Sequence, residues 1–128
     1  RTGLQSGFMG AQVTASALVA EMRTRATPAG IQSIPTNANN QDVVTMGTIA
    51  ARQTAAVLDL LYELLAIEAL VMAQAMDLTG GPFSSSAENL RAFVRSRSAP
   101  LQDDRPLTDD IATLAAAMYK GPSGFSKA

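Results

Sequence analysis

From Gln41 to about Asp77 the chain carries no proline, and its apolar residues recur at helical spacing throughout. At ~1.5 Å per residue, a helix of that length is roughly 50 Å long. Val43, Met46, Ala50, Val57, Leu61 and Leu64 trace one stripe, while Val44, Leu58, Leu65 and Met72 lie off it. A helix that is apolar on more than one face must be surrounded. Nothing else in the sequence constrains the fold as strongly.

The rest of the chain predicts three shorter helices and no convincing strand. The first runs from about Gly7 to Arg25, with Phe8, Ala11, Ala15, Leu18 and Met22 on one face and Ser6 as N-cap. Pro28, Gly30 and Pro35 then break the chain into a loop. The long helix is expected to be capped by Asn40, with Asp42 in its first turn, and to stop at Gly80, Gly81 and Pro82. The third helix follows Ser85, with Glu88 completing a capping box and Leu90, Phe93 and Val94 on its apolar side. The segment from Pro100 to Pro106 reads as a loop. A fourth helix begins after Thr108, places Asp109 and Asp110 in its first turn, and ends at Lys120 and Gly121.

The expected architecture is therefore all-α: one helical segment over residues 1–121, with residues 122–128 as a frayed tail. Two short helices and one of medium length cannot enclose a ~50 Å rod. The missing cover has to come from further chain or from other subunits. Because Arg1 falls inside what reads as a structured segment, with no initiator Met or leader, the chain is read as a piece of a larger protein or the product of a cleaved one.

Composition narrows the chemistry. A net charge of -1 over 128 residues gives no concentrated basic face for phosphate binding, so no nucleic-acid partner is expected. Arg91, Arg95 and Arg97, beside Glu88, read as a solvated helix face. Leu60 to Met76 is apolar enough to suggest a membrane span. Asp59, Glu63 and Glu68 argue against one, since a carboxylate at bilayer depth costs a few kcal/mol. The absence of cysteine fits a reducing, cytoplasmic compartment. With no histidine either, transition-metal sites are not expected, and Ser-His or Cys-His nucleophile pairs are impossible within this segment.

Chemical specialisation is concentrated in one place. Four carboxamides, Asn37, Asn39, Asn40 and Gln41, fall within five positions between a proline-marked loop and the long helix. Read alone, they are a polar loop capping a helix. Amides can also face a ligand, offering donors and acceptors without adding charge, although they cannot act as a general base.

Four ordered blocks then carry a resemblance: SGFMGAQVTASALVAEMR (Ser6 to Arg23), SIPTNANNQDVVTMGTIAAR (Ser33 to Arg52), LAIEAL (Leu65 to Leu70) and DRPLTDDI (Asp104 to Ile111). In that order they resemble the C-terminal part of the aromatic amino acid ammonia-lyases and 2,3-aminomutases, especially the bacterial tyrosine and phenylalanine enzymes. The resemblance implies a mostly helical homotetramer whose central helices form a large bundle, with each active site drawing on three subunits. It also implies a prosthetic group, 4-methylideneimidazole-5-one (MIO), made from an Ala-Ser-Gly tripeptide that this segment does not contain. In the family this electrophile captures the substrate amine, a loop tyrosine removes the β-proton, and an arylacrylate and ammonia result. Aminomutases return the amine to the β-carbon.

Position by position, the resemblance places Gln41 beside the MIO and the substrate amine, where histidine ammonia-lyases carry a glutamate. It makes Asn40 the adjoining amide that holds the MIO network, and Asn37 a pocket-lining residue. Asn39 is read as structural. Phe8, Met9, Tyr62 and Tyr119 are read as packing residues, Asp104 and Arg105 as anchors of the final helix, and Glu63 and Glu68 as partners of chain outside this segment. The expected function is thus part of a lyase converting tyrosine or phenylalanine to coumarate or cinnamate, with the segment inactive alone. A tyrosine or phenylalanine 2,3-aminomutase, or a non-catalytic helical assembly module, are the alternatives these residues leave open.

Overall fold

The structure is a computed structural model that describes residues 4–121, so the tail expected to fray lies outside the described residues. Among the described residues four α-helices follow one another: α1 (Met9–Arg25), α2 (Gly47–Thr79), α3 (Ser85–Arg95) and α4 (Thr108–Lys120), with a 3-10 turn at Ala29–Gln32. The expectation of an all-α chain with one dominant helix holds. Among the described residues, the extended pairing amounts to one isolated bridge between Thr36 and Gln41.

The long helix is the axis on which everything else packs: α1, α3, α4 and the 3-10 turn each lie against α2. Two apolar clusters result. Ala66, Ala69, Leu70 and Ala73 meet Val94 of α3 and Leu114 and Ala115 of α4, while Ile67 meets Ala11 and Leu18 of α1. The alanines on α2 leave room for close approach, and Leu70, Leu114 and Val94 fill the centre. Tyr62 and Tyr119 pack edge-on across α2 and α4, with ring centroids 5.3 Å apart.

All the buried residues of α2 lie between Ala66 and Ala73. From Gly47 to Leu65 none is buried, and Ile49, Leu58 and Leu65 remain exposed there. As expected, the three other helices do not enclose the full length of α2. No helix among the described residues is long and apolar enough to cross a membrane.

Three helix starts depart from expectation. Helix α2 begins at Gly47 rather than Gln41, so Asn40 does not cap it and Asp42 is not in its first turn. The reason is local. Asn37, Ala38, Asn39 and Met46 all have positive φ, and the β-branched run Val43, Val44, Thr45 resists helix. In α3 the N-cap is Ser84, whose side chain accepts from the Ala87 amide at 3.3 Å, so the Ser85–Glu88 capping box does not form. Ser6 does not cap α1 either. Asp104, from the far end of the chain, accepts the Ser6 and Gly7 amides at 2.6 and 2.8 Å. Those two backbone bonds hold the Asp104 carboxyl below its ordinary pKa.

A polar seam ties α2, α3 and the loop before α4 together. The Asp77 carboxylate, only 15% exposed, accepts Nε of both Arg91 and Arg95 at 2.7 Å. Arg91 and Arg95 are therefore not the solvated face the sequence suggested. Burial pushes the Asp77 pKa up, but the two guanidinium hydrogen bonds outweigh it and the net shift is downward. Gln74 accepts the Leu101 amide at 2.8 Å and donates to its carbonyl at 3.1 Å. Arg105 grips Asp110 through both carboxylate oxygens, which lowers the Asp110 pKa and anchors the start of α4. Arg97 instead stacks on the Phe93 ring, 4.1 Å from its centroid.

Candidate functional site

Asn37, Asn40 and Gln41 sit on a reverse turn ahead of α2, not on a helix. The Thr36 amide donates to the Gln41 carbonyl at 2.9 Å, and the Gln41 amide returns a bond to Thr36 at 3.2 Å. Inside this pair the Asn40 amide donates to the Asn37 carbonyl at 3.0 Å. The two central residues, Ala38 and Asn39, have φ of 53° and 66°, the sign a type I′ turn requires at both positions. Asparagine tolerates this backbone region better than most residues, so Asn37 and Asn39 have a conformational reason to be there. Asn39, expected to be structural, fits that role fully.

Gln41 has a second tie. The Thr36 hydroxyl donates to Oε1 of the Gln41 side chain at 3.0 Å. Among the described residues Nε2 has no partner, so the amide presents two free N–H donors. The loop is closed further along by Ser33, whose hydroxyl accepts the Val44 amide at 2.7 Å. Neither Thr36 nor Ser33 stands out in the sequence as a residue that closes this loop. A signal for Thr36 is present nonetheless: a β-branched residue flanking an Asn-Ala-Asn-Asn run is a hairpin pattern.

All three candidate amides are exposed in this chain. An open apolar groove of about 740 Å³ lies elsewhere, between α1 and α2, and is lined by Phe8, Met9, Leu64, Ile67, Val71 and Met72. A site enclosing a small molecule against the amides requires walls from other chain. Phe8 packs on both core clusters, in keeping with its expected role, whereas Met9 is largely exposed. Among the described residues no cluster of acidic side chains could hold a metal ion.

A family model described as aromatic amino acid lyase matches residues 1–98. The chain belongs to the aromatic amino acid lyases. A tyrosine ammonia-lyase of Cereibacter sphaeroides is 53% identical over 122 residues, covering 92% of this chain and 23% of that protein. The crystal structure of a tyrosine aminomutase from Streptomyces globisporus superposes with a TM-score of 0.89 at 46% identity, over 94% of this chain and 23% of the other. A histidine ammonia-lyase from Trypanosoma cruzi gives a TM-score of 0.85 at 37% identity, over 93% of this chain and 24% of the other. The chain thus spans about a quarter of the length of these relatives.

Proposed function

We propose that this chain is the C-terminal helical portion of an MIO-dependent ammonia-lyase acting on tyrosine or phenylalanine, and that it supplies Gln41, Asn40 and Asn37 to the active site. The observation that carries this reading is the Thr36–Gln41 turn. It holds three uncharged amides at one exposed end of the uncovered half of α2 and leaves the Gln41 Nε2 donors without a partner. Relatedness to a tyrosine ammonia-lyase over 92% of the chain supports the substrate class.

The donor set fits the proposed prosthetic group. Neutral amides can hydrogen-bond a neutral electrophile and a zwitterionic substrate without adding a charge that would perturb either. Asn40 would hold the MIO and Gln41 would face the substrate amine, with Asn37 lining the pocket. The chemistry that group supplies is electrophilic capture of the amine. This chain's own part is to position donors around it and, through the rest of a homotetramer, to help exclude water. The uncovered first half of α2 supports burial against other chain in such an assembly. A cytoplasmic setting accords with a chain that has no cysteine.

In the full-length parent, Gln41→Ala is expected to lower arylacrylate release roughly 10²-fold, the scale of losing one positioned donor. Turnover equal to that of the unsubstituted enzyme would refute a site role for Gln41. A second reading, a tyrosine 2,3-aminomutase, is favoured by the likeness to the Streptomyces globisporus enzyme. Formation of a β-amino acid from the same reaction would select it. A parent lacking the Ala-Ser-Gly triplet would point instead to a non-catalytic assembly module.

A further inference from the structure

We propose that Ser33 is a positioning residue, whose hydroxyl pins the stem of the amide-bearing hairpin and so fixes where Gln41 stands relative to α2. The role rests on the site reading proposed for Gln41. The direction of the contact is set by chemistry. A backbone N–H can only donate, so the Ser33 oxygen, 2.7 Å from the Val44 nitrogen, accepts, and the bond is partly shielded from water.

Its place in the hairpin gives the bond its weight. Ser33 lies three residues before Thr36 and Val44 three after Gln41, so the bond falls in register with the pair that closes the turn. An antiparallel ladder would next exchange backbone bonds between Ile34 and Val43, and among the described residues none joins them. Pro35 has no N–H to give. Among the described residues, the Ser33 side chain therefore makes the one hydrogen bond between the two strands below the turn.

Ser33 is itself seated. Its amide donates to the Gly30 carbonyl at 3.2 Å, ending the 3-10 turn, and that turn, with Ala29 buried, packs on α2. The returning strand has no such seat. Between Gln41 and α2 it runs through non-helical backbone to Met46, at a φ of 51°. The bond to Ser33 thus fastens this strand, close behind Gln41, to an element already fixed on α2. Placement at a reacting centre is exacting: a shift of about 1 Å costs on the order of 10²-fold in rate.

The test uses the full-length parent, with Ser33→Ala to remove the acceptor and Ser33→Thr to keep it. Ser33→Ala is expected to lower kcat/KM about 10-fold and Ser33→Thr to restore most of that loss. Hydrogen exchange gives a readout independent of turnover. The segment from Asn37 to Met46 should exchange several-fold faster in Ser33→Ala and at the original rate in Ser33→Thr. In a Gln41→Ala background the Ser33→Ala loss should shrink to about 2-fold or less, because the residue being positioned is gone.

Unchanged turnover in Ser33→Ala overturns the proposal while leaving Gln41 in the site; faster exchange alongside it would mark a bond that steadies the loop alone. A loss that Ser33→Thr does not restore, or that persists in full beside Gln41→Ala, overturns it as well. If Gln41→Ala is itself without effect, the site reading fails, and the exchange rates still report whether the hydroxyl pins the stem.

Discussion

Ala38 carries the plainest strain in the chain. Its φ of +53° puts a Cβ in the left-handed region, between two asparagines with the same sign of φ. For an L-residue other than Gly, Asn or Asp, that conformation costs roughly 1–2 kcal/mol, part of which glycine would lose again through its freer unfolded chain. Ala38→Gly is therefore expected to stabilise the chain by about 0.5–1 kcal/mol, the reverse of the usual sign for this substitution. Thermal melting by circular dichroism checks it, and a lowered midpoint would show that the turn carries no strain at this residue. The same residues mark how far the site was legible. The clustering of amides ahead of the long helix is visible in sequence. Their conformation was not, because asparagine serves equally as helix cap and as left-handed turn residue, and the choice between those was made by the Thr36–Gln41 pair that closes the turn. Carboxylates at this scale set the acid limit of the fold. Asp77, Asp104 and Asp110 all titrate below the ordinary 3.8 in the folded chain. The folded state thus holds fewer protons than the unfolded one around that pH, so their stabilisation is complete above it and is lost as the pH falls through and below 3.8. Asp77→Asn is expected to lower the melting midpoint at pH 7 and to shrink the further drop on going to pH 3. An unchanged pH 7 to pH 3 difference would remove Asp77 from that account.

Helix starts are where elements diverge from what composition and spacing suggest. Ser84, Ser85 and Ser86 offer three successive hydroxyls ahead of α3, and the glutamate at 88 made Ser85 the natural choice. The backbone selects Ser84 instead: its extended φ of -65° and ψ of 155° are those of a cap, and its Oγ takes the Ala87 amide. Glu88 is drawn off to Arg91, at 3.3 Å. Ser84→Ala is expected to cost about 1 kcal/mol and Ser85→Ala a few tenths. Equal losses in paired denaturation curves would restore the capping box. The stops were easier to read than the starts. Gly80 and Gly121, both at positive φ, end α2 and α4 where sequence placed them, because few residues other than glycine adopt that backbone without cost. Starts depend on hydrogen bonds that arrive from elsewhere, as Asp104 does for α1 across 98 positions of sequence. No local window contains that information.

At the scale of the whole molecule, α2 is half clothed. From Ala66 to Ala73 it has the alanine-lined contacts of an interior helix, while from Gly47 to Leu65 nothing on it is buried. Leu58 and Leu65 on that stretch, with Ile31, Ile34 and Val43 beside it, leave large apolar side chains facing water. Each such side chain would gain roughly 1.5–3 kcal/mol from full burial, so several together make a strong drive toward any apolar surface in reach. The chain of 13.3 kDa is therefore expected to elute from a sizing column well above its monomer mass and to bind a hydrophobic dye. Monomeric elution without dye binding would mean that the exposed half of α2 is stable as it stands. Under the proposed function, association of this kind creates no active site, because the Ala-Ser-Gly tripeptide and the loop tyrosine that the resemblance implies are not in this segment. The associated chain should release neither cinnamate nor coumarate from the corresponding amino acid, and turnover detected by arylacrylate absorbance would contradict this division of labour. The two measurements belong together. Under the proposed function, surface that is unsatisfied here and chemistry that is missing here have one origin: a helix whose first stretch is left uncovered, and amides that would form one wall of a site completed by other chain.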